Sequence, residues 1–199
     1  MVFTRAPRQG RVKTRIANAL GDSRALAIHR ELTERTMAAA RGLADARVVV
    51  SHTPADAGDE VRAWLGDDLR CEPQRGGDLG ERMAAAIEAR LAAGSARVLV
   101  VGSDAPDLTT AILDEAFSSL DAHDVVIGPA ADGGYYLIGM RALHPTLFRL
   151  IPWSSAETLA RTLAATRAAG LRVHLLEILR DVDTVEDWRD WARRNGRPE

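Results

Sequence analysis

Cysteine is almost absent: Cys71 stands alone among 199 residues, and one thiol cannot close an intramolecular disulfide. No Cys or His pattern accompanies it in the extended-looking segment 69–74, so it reads as a small structural residue rather than a nucleophile or ligand. No apolar run is long enough to span a bilayer and no signal peptide opens the chain, which predicts a cytoplasmic protein without a membrane partner. A cationic excess is missing too. The formal net charge is -2 and the pI is near 6.2, whereas a generic nucleic-acid or anionic-lipid binder needs a net basic surface. His29, His52, His123, His144 and His174 show neither metal-ligand spacing nor a Ser or Cys nucleophile to pair with. GxxxxGK[ST] and GxGxxG are both absent, which excludes a P-loop ATPase and a standard dinucleotide site. Repeats, linkers and low-complexity segments are lacking as well, so residues 1–199, with 46% hydrophobic and 27% charged residues, are expected to form one domain with a real core.

What is present is a series of short apolar runs separated by helical patterns. Arg97 to Leu108, RVLVVGSDAPDL, is an apolar β-forming run that stops at Gly102-Ser103-Asp104 and turns through Pro106. Such a run reads as a buried strand of a mostly parallel sheet, and ligands bind where such strands end. Further strands are expected at 1–4, 47–51, around Cys71, at 124–128, at 135–139 and at 171–177. Helices are expected from Asp22-Ser23 with Ile28, Leu32, Ala39 and Leu43 on one face, at 59–65, and from Leu79 through Met83, Ile87 and Leu91 to a stop at Gly94. Others should run through Ile112, Ala116 and Leu120, from Leu143 with a break at Pro152-Trp153, from Ser154-Ser155 to Ala169, and from Asp181 to the C-terminus. Residues 5–16 are expected as a loop. The alternation predicts an α/β fold, largely parallel with helices on both faces, and Gly133-Gly134 between two apolar runs predicts a small antiparallel excursion.

Several constellations could carry chemistry. Arg5, Arg8, Arg11, Lys13 and Arg15 crowd one loop; such cations repel one another, and a di- or triphosphate would relieve them, the alternative being a solvated charged loop. Asp104 is costly at the end of a buried strand without a metal, a partner or hydrogen-bond donors, although an Asx turn would also account for it. Asp181 and Asp183 should meet Asp104 on the same sheet edge, and one or two carboxylates with phosphate oxygens and water suit Mg²⁺. Asp183-Thr-Val-Glu186 also reads as a helix cap with its Glu at N3. Gly76-Gly77-Asp78-Leu79-Gly80 is either a phosphate- or base-contacting turn or only a tight turn. Asp132-Gly133-Gly134-Tyr135-Tyr136 allows close backbone approach with two aromatics toward a ligand, or burial of both rings. Trp188 and Trp191 pack either on the domain or on a second subunit.

Taken together, the stretches Pro7 to Arg15, Gly76 to Met83, Gly102 to Pro106, Gly128 to Gly139, Trp153 to Ser155 and Asp181 to Thr184 resemble one family almost end to end. It is the group of GT-A-fold, nucleotide-diphospho-sugar-transferase-like proteins called radical-SAM/selenodomain-associated transferases, some of them named arsenosugar-biosynthesis glycosyltransferases. The resemblance implies a Rossmann-like GT-A sheet, a nucleotide over its strand ends, and Mg²⁺ or Mn²⁺ held by Asp104 with Asp183 as the preferred second ligand. The Lys13-Thr14-Arg15 loop is also similar to the Lys-Ser-Arg loop of phospholactate guanylyltransferases. It lies where molybdenum-cofactor guanylyltransferases carry a Gly-rich pyrophosphate loop, which this chain lacks. Related chains begin several residues earlier, so the first strand is truncated or the true start lies upstream of Met1.

The expected activity is therefore nucleotidyl transfer from a nucleoside triphosphate to a small phosphorylated acceptor, with release of pyrophosphate. Lys13, Arg15, Asp104 and Asp132 are the expected catalytic residues. Arg5, Arg11, Lys13, Arg15, Gly76, Gly77, Asp78, Gly80, Ser103, Gly133 and Gly134 are expected to bind the nucleotide or its phosphates. The alternatives are glycosyl transfer from a nucleotide sugar to an acceptor hydroxyl, with Asp132 as base, and a nucleotide-binding protein without catalysis. Base, acceptor and oligomeric state are left open.

Overall fold

The structure is a computed structural model and describes residues 1–197. Seven strands, β1 (Val2–Arg5), β2 (Val49–Thr53), β3 (Arg70–Pro73), β4 (Val98–Gly102), β5 (Val125–Pro129), β6 (Tyr135–Met140) and β7 (Val173–Leu175), form one sheet in the order β3-β2-β1-β4-β6-β5-β7. Neighbours are parallel except at β6, which runs antiparallel to both β4 and β5. The corner at residues 130–134 is too short for a crossover helix, so the chain reverses there; this is the small antiparallel part of an otherwise Rossmann-like α/β fold.

The helices are α1 (Thr14–Leu20), α2 (Asp22–Arg41), α3 (Gly58–Leu65), α4 (Leu79–Ala92), α5 (Thr110–Ser119), α6 (Thr158–Ala168) and α7 (Val185–Arg194). Alternate strand residues point to opposite faces. Leu99 and Val101 of β4 and Val126 of β5 therefore pack with α2, α3 and α5, whereas Val98, Val100, Val125 and Ile127 pack with α4 and α6. A third cluster joins Ile16 of α1, Ile28 and Leu32 of α2, and Trp188 and Trp191 of α7. Both tryptophans are buried on this domain, and Arg35 and Arg197 lie 4.6 and 5.1 Å from the Trp191 ring centre as cation–π neighbours.

Four local expectations change. Residues 5–16 are not all loop, because α1 starts at Thr14 and buries Ile16 completely against α7; the surrounding cations mask that helix in the sequence. The first long helix starts from Gly21, at φ 82, so Asp22 is a first-turn acid and makes no side-chain cap. The segment from Leu143 forms only a 3₁₀ turn, Pro145–Phe148, since Pro145, Leu150 at φ 56 and Pro152 interrupt helical backbone. The last helix is capped by Thr184, whose hydroxyl accepts from Asp187 N while the Asp187 carboxylate accepts from Thr184 N at 2.8 Å. The capping box lies one residue later than Asp183 and Glu186, which releases Asp183 for another partner.

Candidate functional site

The carboxyl ends of β1 and β4 and the corner between β5 and β6 surround a cavity of about 800 Å³. That is the upper part of the range for small-molecule sites. Thr4 and Ser103 on its wall join a layer of buried hydroxyls: Ser103 Oγ donates to Thr4 Oγ1 at 3.3 Å, and Thr4 and Thr33 hydroxyls are 3.2 Å apart.

One basic side chain organises this end. Lys13 has a left-handed backbone, φ 45, at the N-cap of α1, and its ammonium reaches Asp104 Oδ1 at 2.7 Å, Asp183 Oδ1 at 2.9 Å and the Val182 carbonyl at 2.6 Å. Three acceptors thus satisfy its three donors. Val182 N donates to the Asp104 carbonyl at 2.9 Å, and this bond locks the segment before α7 onto the turn after β4. The two carboxylates come together for that reason. Burial pulls the Lys13 pKa down, but Asp104 and Asp183 more than reverse it, and the amine stays charged. Lys13 is also the only lysine in the chain. An Arg-rich protein that keeps a single lysine, and buries it, offers a compositional signal for this residue.

Asp181 sits on the same edge, with Oδ1 buried and without a hydrogen-bond partner. Burial, then the charges of Asp104, Asp132 and Asp183, push its carboxyl up to about 7. Among the described residues no group of three or more His, Cys, Asp or Glu converges as a metal cage. The donor set nevertheless fits a divalent cation of the Mg²⁺ type: Asp104 and Asp183 already share one positive charge, and an unsatisfied carboxylate oxygen stands beside them.

Of the remaining cations, Arg8 is turned away and paired with Glu60 at 2.8 Å and Asp56 at 3.5 Å. Arg5, Arg11 and Arg15 are exposed on the cavity wall, and among the described residues none has an acidic partner within 4.0 Å. Ser103, Asp132 and Gly134 also line the cavity. Asp132 Oδ1 accepts from Gly134 N at 2.9 Å and so holds the glycine corner. Gly133 itself lies behind that corner, packed on the Ala156 backbone.

Gly76, Gly77, Asp78 and Gly80 are not brought into the cavity lining. Asp78 caps α4 through Glu81 N at 2.8 Å, Gly77 N donates to Glu81 Oε2 at 2.7 Å, and Arg82 clamps the Gly76 and Gly77 carbonyls. Their place is that of a tight turn. Leu79 is not on the buried face but 41% exposed, because α4 opens at the cavity rim. Tyr136 is buried and donates to the Glu177 carbonyl at 3.1 Å, while Tyr135 meets the Trp153 ring edge-on, 6.2 Å between centres.

Two wall residues escape sequence reasoning. His29 is buried beside Arg5, its Nε2 3.0 Å from the Arg5 carbonyl, and burial pushes its pKa down, so the ring is neutral. Gln74 lines the β2–β3 side and donates to the Ser51 carbonyl at 2.9 Å. Neither carries a spacing signal: His29 is brought in by the packing of α2 against β1, and Gln74 by the pairing of β3 with β2.

Residues 36–155 match the family described as an uncharacterized protein conserved in bacteria, DUF2064. The chain belongs to this family. The family chain is also similar to a candidate nucleotide-diphospho-sugar transferase from Desulfovibrio desulfuricans G20, at 36% identity over 98% of this chain and 85% of that one, with a TM-score of 0.93. More distant likenesses show the shared fold. An inositol-1-phosphate CTP transferase from T. maritima matches at 14% identity over 94% and 90% of the two chains, TM-score 0.61. Rv0371c from Mycobacterium tuberculosis H37Rv, in complex with manganese, matches at 18% identity over 95% of each, TM-score 0.55. No curated protein matches the chain. No helix of the described residues is long and apolar enough to cross a membrane.

Proposed function

We propose that the chain is a nucleotide-donor transferase and that its reaction is nucleotidyl transfer from a nucleoside triphosphate to a small phosphorylated acceptor. The observation that carries this reading is the gathering of three partnerless guanidiniums, Arg5, Arg11 and Arg15, around Lys13, Asp104 and Asp183 on one cavity wall. A triphosphate supplies the anion that this wall lacks.

Asp104 and Asp183 would hold Mg²⁺ or Mn²⁺, and a bound ion of this kind offsets charge on the donor phosphates. Arg5, Arg11 and Arg15 orient the β- and γ-phosphates and neutralise the charge that grows on pyrophosphate. An oxygen of the acceptor phosphate attacks the α-phosphorus in line; the new P–O bond forms as the bond to the β-phosphate oxygen breaks, and pyrophosphate leaves with that electron pair. The acceptor oxygen is already ionised, so no side chain has to remove a proton. Asp132 then acts by holding the Gly133-Gly134 corner against the reacting groups.

Glycosyl transfer to a hydroxyl is the second reading, favoured by the description of the 36% identical relative. It would give Asp132 the role of base.

A thermal-shift screen with Mg²⁺ against nucleoside triphosphates, diphosphates and nucleotide sugars decides between them, because a ligand that binds the native state raises the melting temperature. Stabilisation by one triphosphate is expected. Stabilisation by a nucleotide sugar and its diphosphate, with triphosphates weak, would establish the second reading instead.

A further inference from the structure

The cavity has a second end that the donor does not explain. Leu79 and Met83 of α4, Tyr135 of β6 and Trp153 make an apolar wall opposite the cation loop. Trp153 is placed there deliberately: Gly80 has no Cβ, and a Cβ at that position would overlap the indole ring. The loop that carries the ring is strained, with Ser154 at φ 59 and Leu150 at φ 56, both rare for residues with side chains. It is held by Thr158 Oγ1, which donates to the Pro152 carbonyl at 2.8 Å, and by Leu159 N, which donates to the Gly133 carbonyl at 2.9 Å. The two charges at this end are of opposite sign: Arg82, whose Nε and Nη2 donate to the Gly76 and Gly77 carbonyls, and Asp132 on the adjoining corner. The in-plane polar groups that a nucleobase needs, Gln74 and Thr53, lie on the other side of β1.

We infer that this end seats the body of the acceptor, and that the body is uncharged and lays a ring face on the Trp153 indole. The inference rests on the donor-transferase reading only for the word acceptor; the ring seat itself stands on the wall. Aromatic residues flanked by charges of opposite sign favour a neutral ring over an anion, and a rigid indole contributes contact area at low entropic cost.

The test is calorimetric titration with phenyl β-glucoside, a neutral probe that carries both a sugar and an aryl ring, with and without Mg²⁺ and the nucleotide ranked first by the thermal-shift screen. Saturable binding is expected, weakened about tenfold by Trp153→Ala and by Gly80→Ala, which pushes the ring aside, and kept within about threefold by Trp153→Phe. Nucleotide affinity should be unchanged in all three. Melting temperatures confirm folding, and Gly80→Ala, which adds one methyl group and displaces the ring without removing it, serves if Trp153→Ala does not fold. The inference is overturned if the probe does not bind, if neither variant weakens it, or if 4-carboxyphenyl β-glucoside binds more tightly. An equal loss of nucleotide affinity in Trp153→Ala would also overturn it by making the indole a base seat. If no nucleotide binds the native protein, the donor reading fails while the probe titration still decides the ring seat.

Discussion

The two ends of the cavity handle charge in opposite ways. On the β1 side, Arg5, Arg11 and Arg15 stand exposed without acidic partners, and within the same loop only Arg8 is drawn off to Glu60 and Asp56. On the Trp153 side the described residues supply one cation, Arg82, whose guanidinium is tied down by backbone carbonyls, and the rest of the wall is apolar. A folded protein pairs its charges where it can, so cations left over beside a cavity are those that structure does not use. The pivot between the ends is Lys13, which is fully paired, buried and strained, in contrast to its arginine neighbours.

Asp104→Asn should break the cationic end most severely, lowering the transfer rate by about a thousandfold while the fold survives, as steady-state rates and circular dichroism will show. Asp181→Asn tests the buried carboxyl. Its folded pKa of about 7 lies above the ordinary value, so the folded state binds the extra proton. Stability from this group is fully present below pH 4 and is lost as pH rises through 7. The asparagine variant should therefore match the native protein at pH 4 and exceed it by about 4 kcal/mol at pH 8 in chelator, read by denaturant melts.

Lys13→Met should destabilise the metal-free protein by about 1–2 kcal/mol, discounted because both carboxylates are half exposed, and added Mg²⁺ should narrow the gap by taking the place of the ammonium. Arg15→Ala and Arg8→Ala sharpen the contrast within the loop. The first should weaken nucleotide binding about tenfold and flatten its salt dependence, and the second should leave affinity unchanged, as titrations at two ionic strengths will show.

Much of this arrangement is legible in the sequence because it is local. Apolar runs ended by Gly, Pro and Asp mark the parallel strands, and Gly102-Ser103-Asp104 marks the turn at which the cavity opens. The Lys13 cluster is not local: Asp183 lies 170 residues away and is brought in by one backbone bond, Val182 to Asp104. For the same reason the sequence points to Asp183 as the last helix cap, whereas tertiary packing assigns Asp183 to Lys13 and leaves the cap to Thr184. α1 is hidden by its cations, although Ile16 is the residue that packs. The glycines from 76 to 80 invite a phosphate-loop reading, yet what Gly80 accommodates is an indole from a distant loop. Periodicity carries no information about such a contact.

The most direct test of the central claim is Mn²⁺ binding followed by loss of the free-ion electron paramagnetic resonance signal, in the presence of the nucleotide selected by thermal shift. One ion per chain should bind the native protein, and Asp104→Asn and Asp183→Asn should each abolish that binding. Uptake of Mn²⁺ that is equal in the native protein and both variants, or no uptake with any nucleoside triphosphate or nucleotide sugar, would contradict the assignment of these carboxylates and of the donor site built on them.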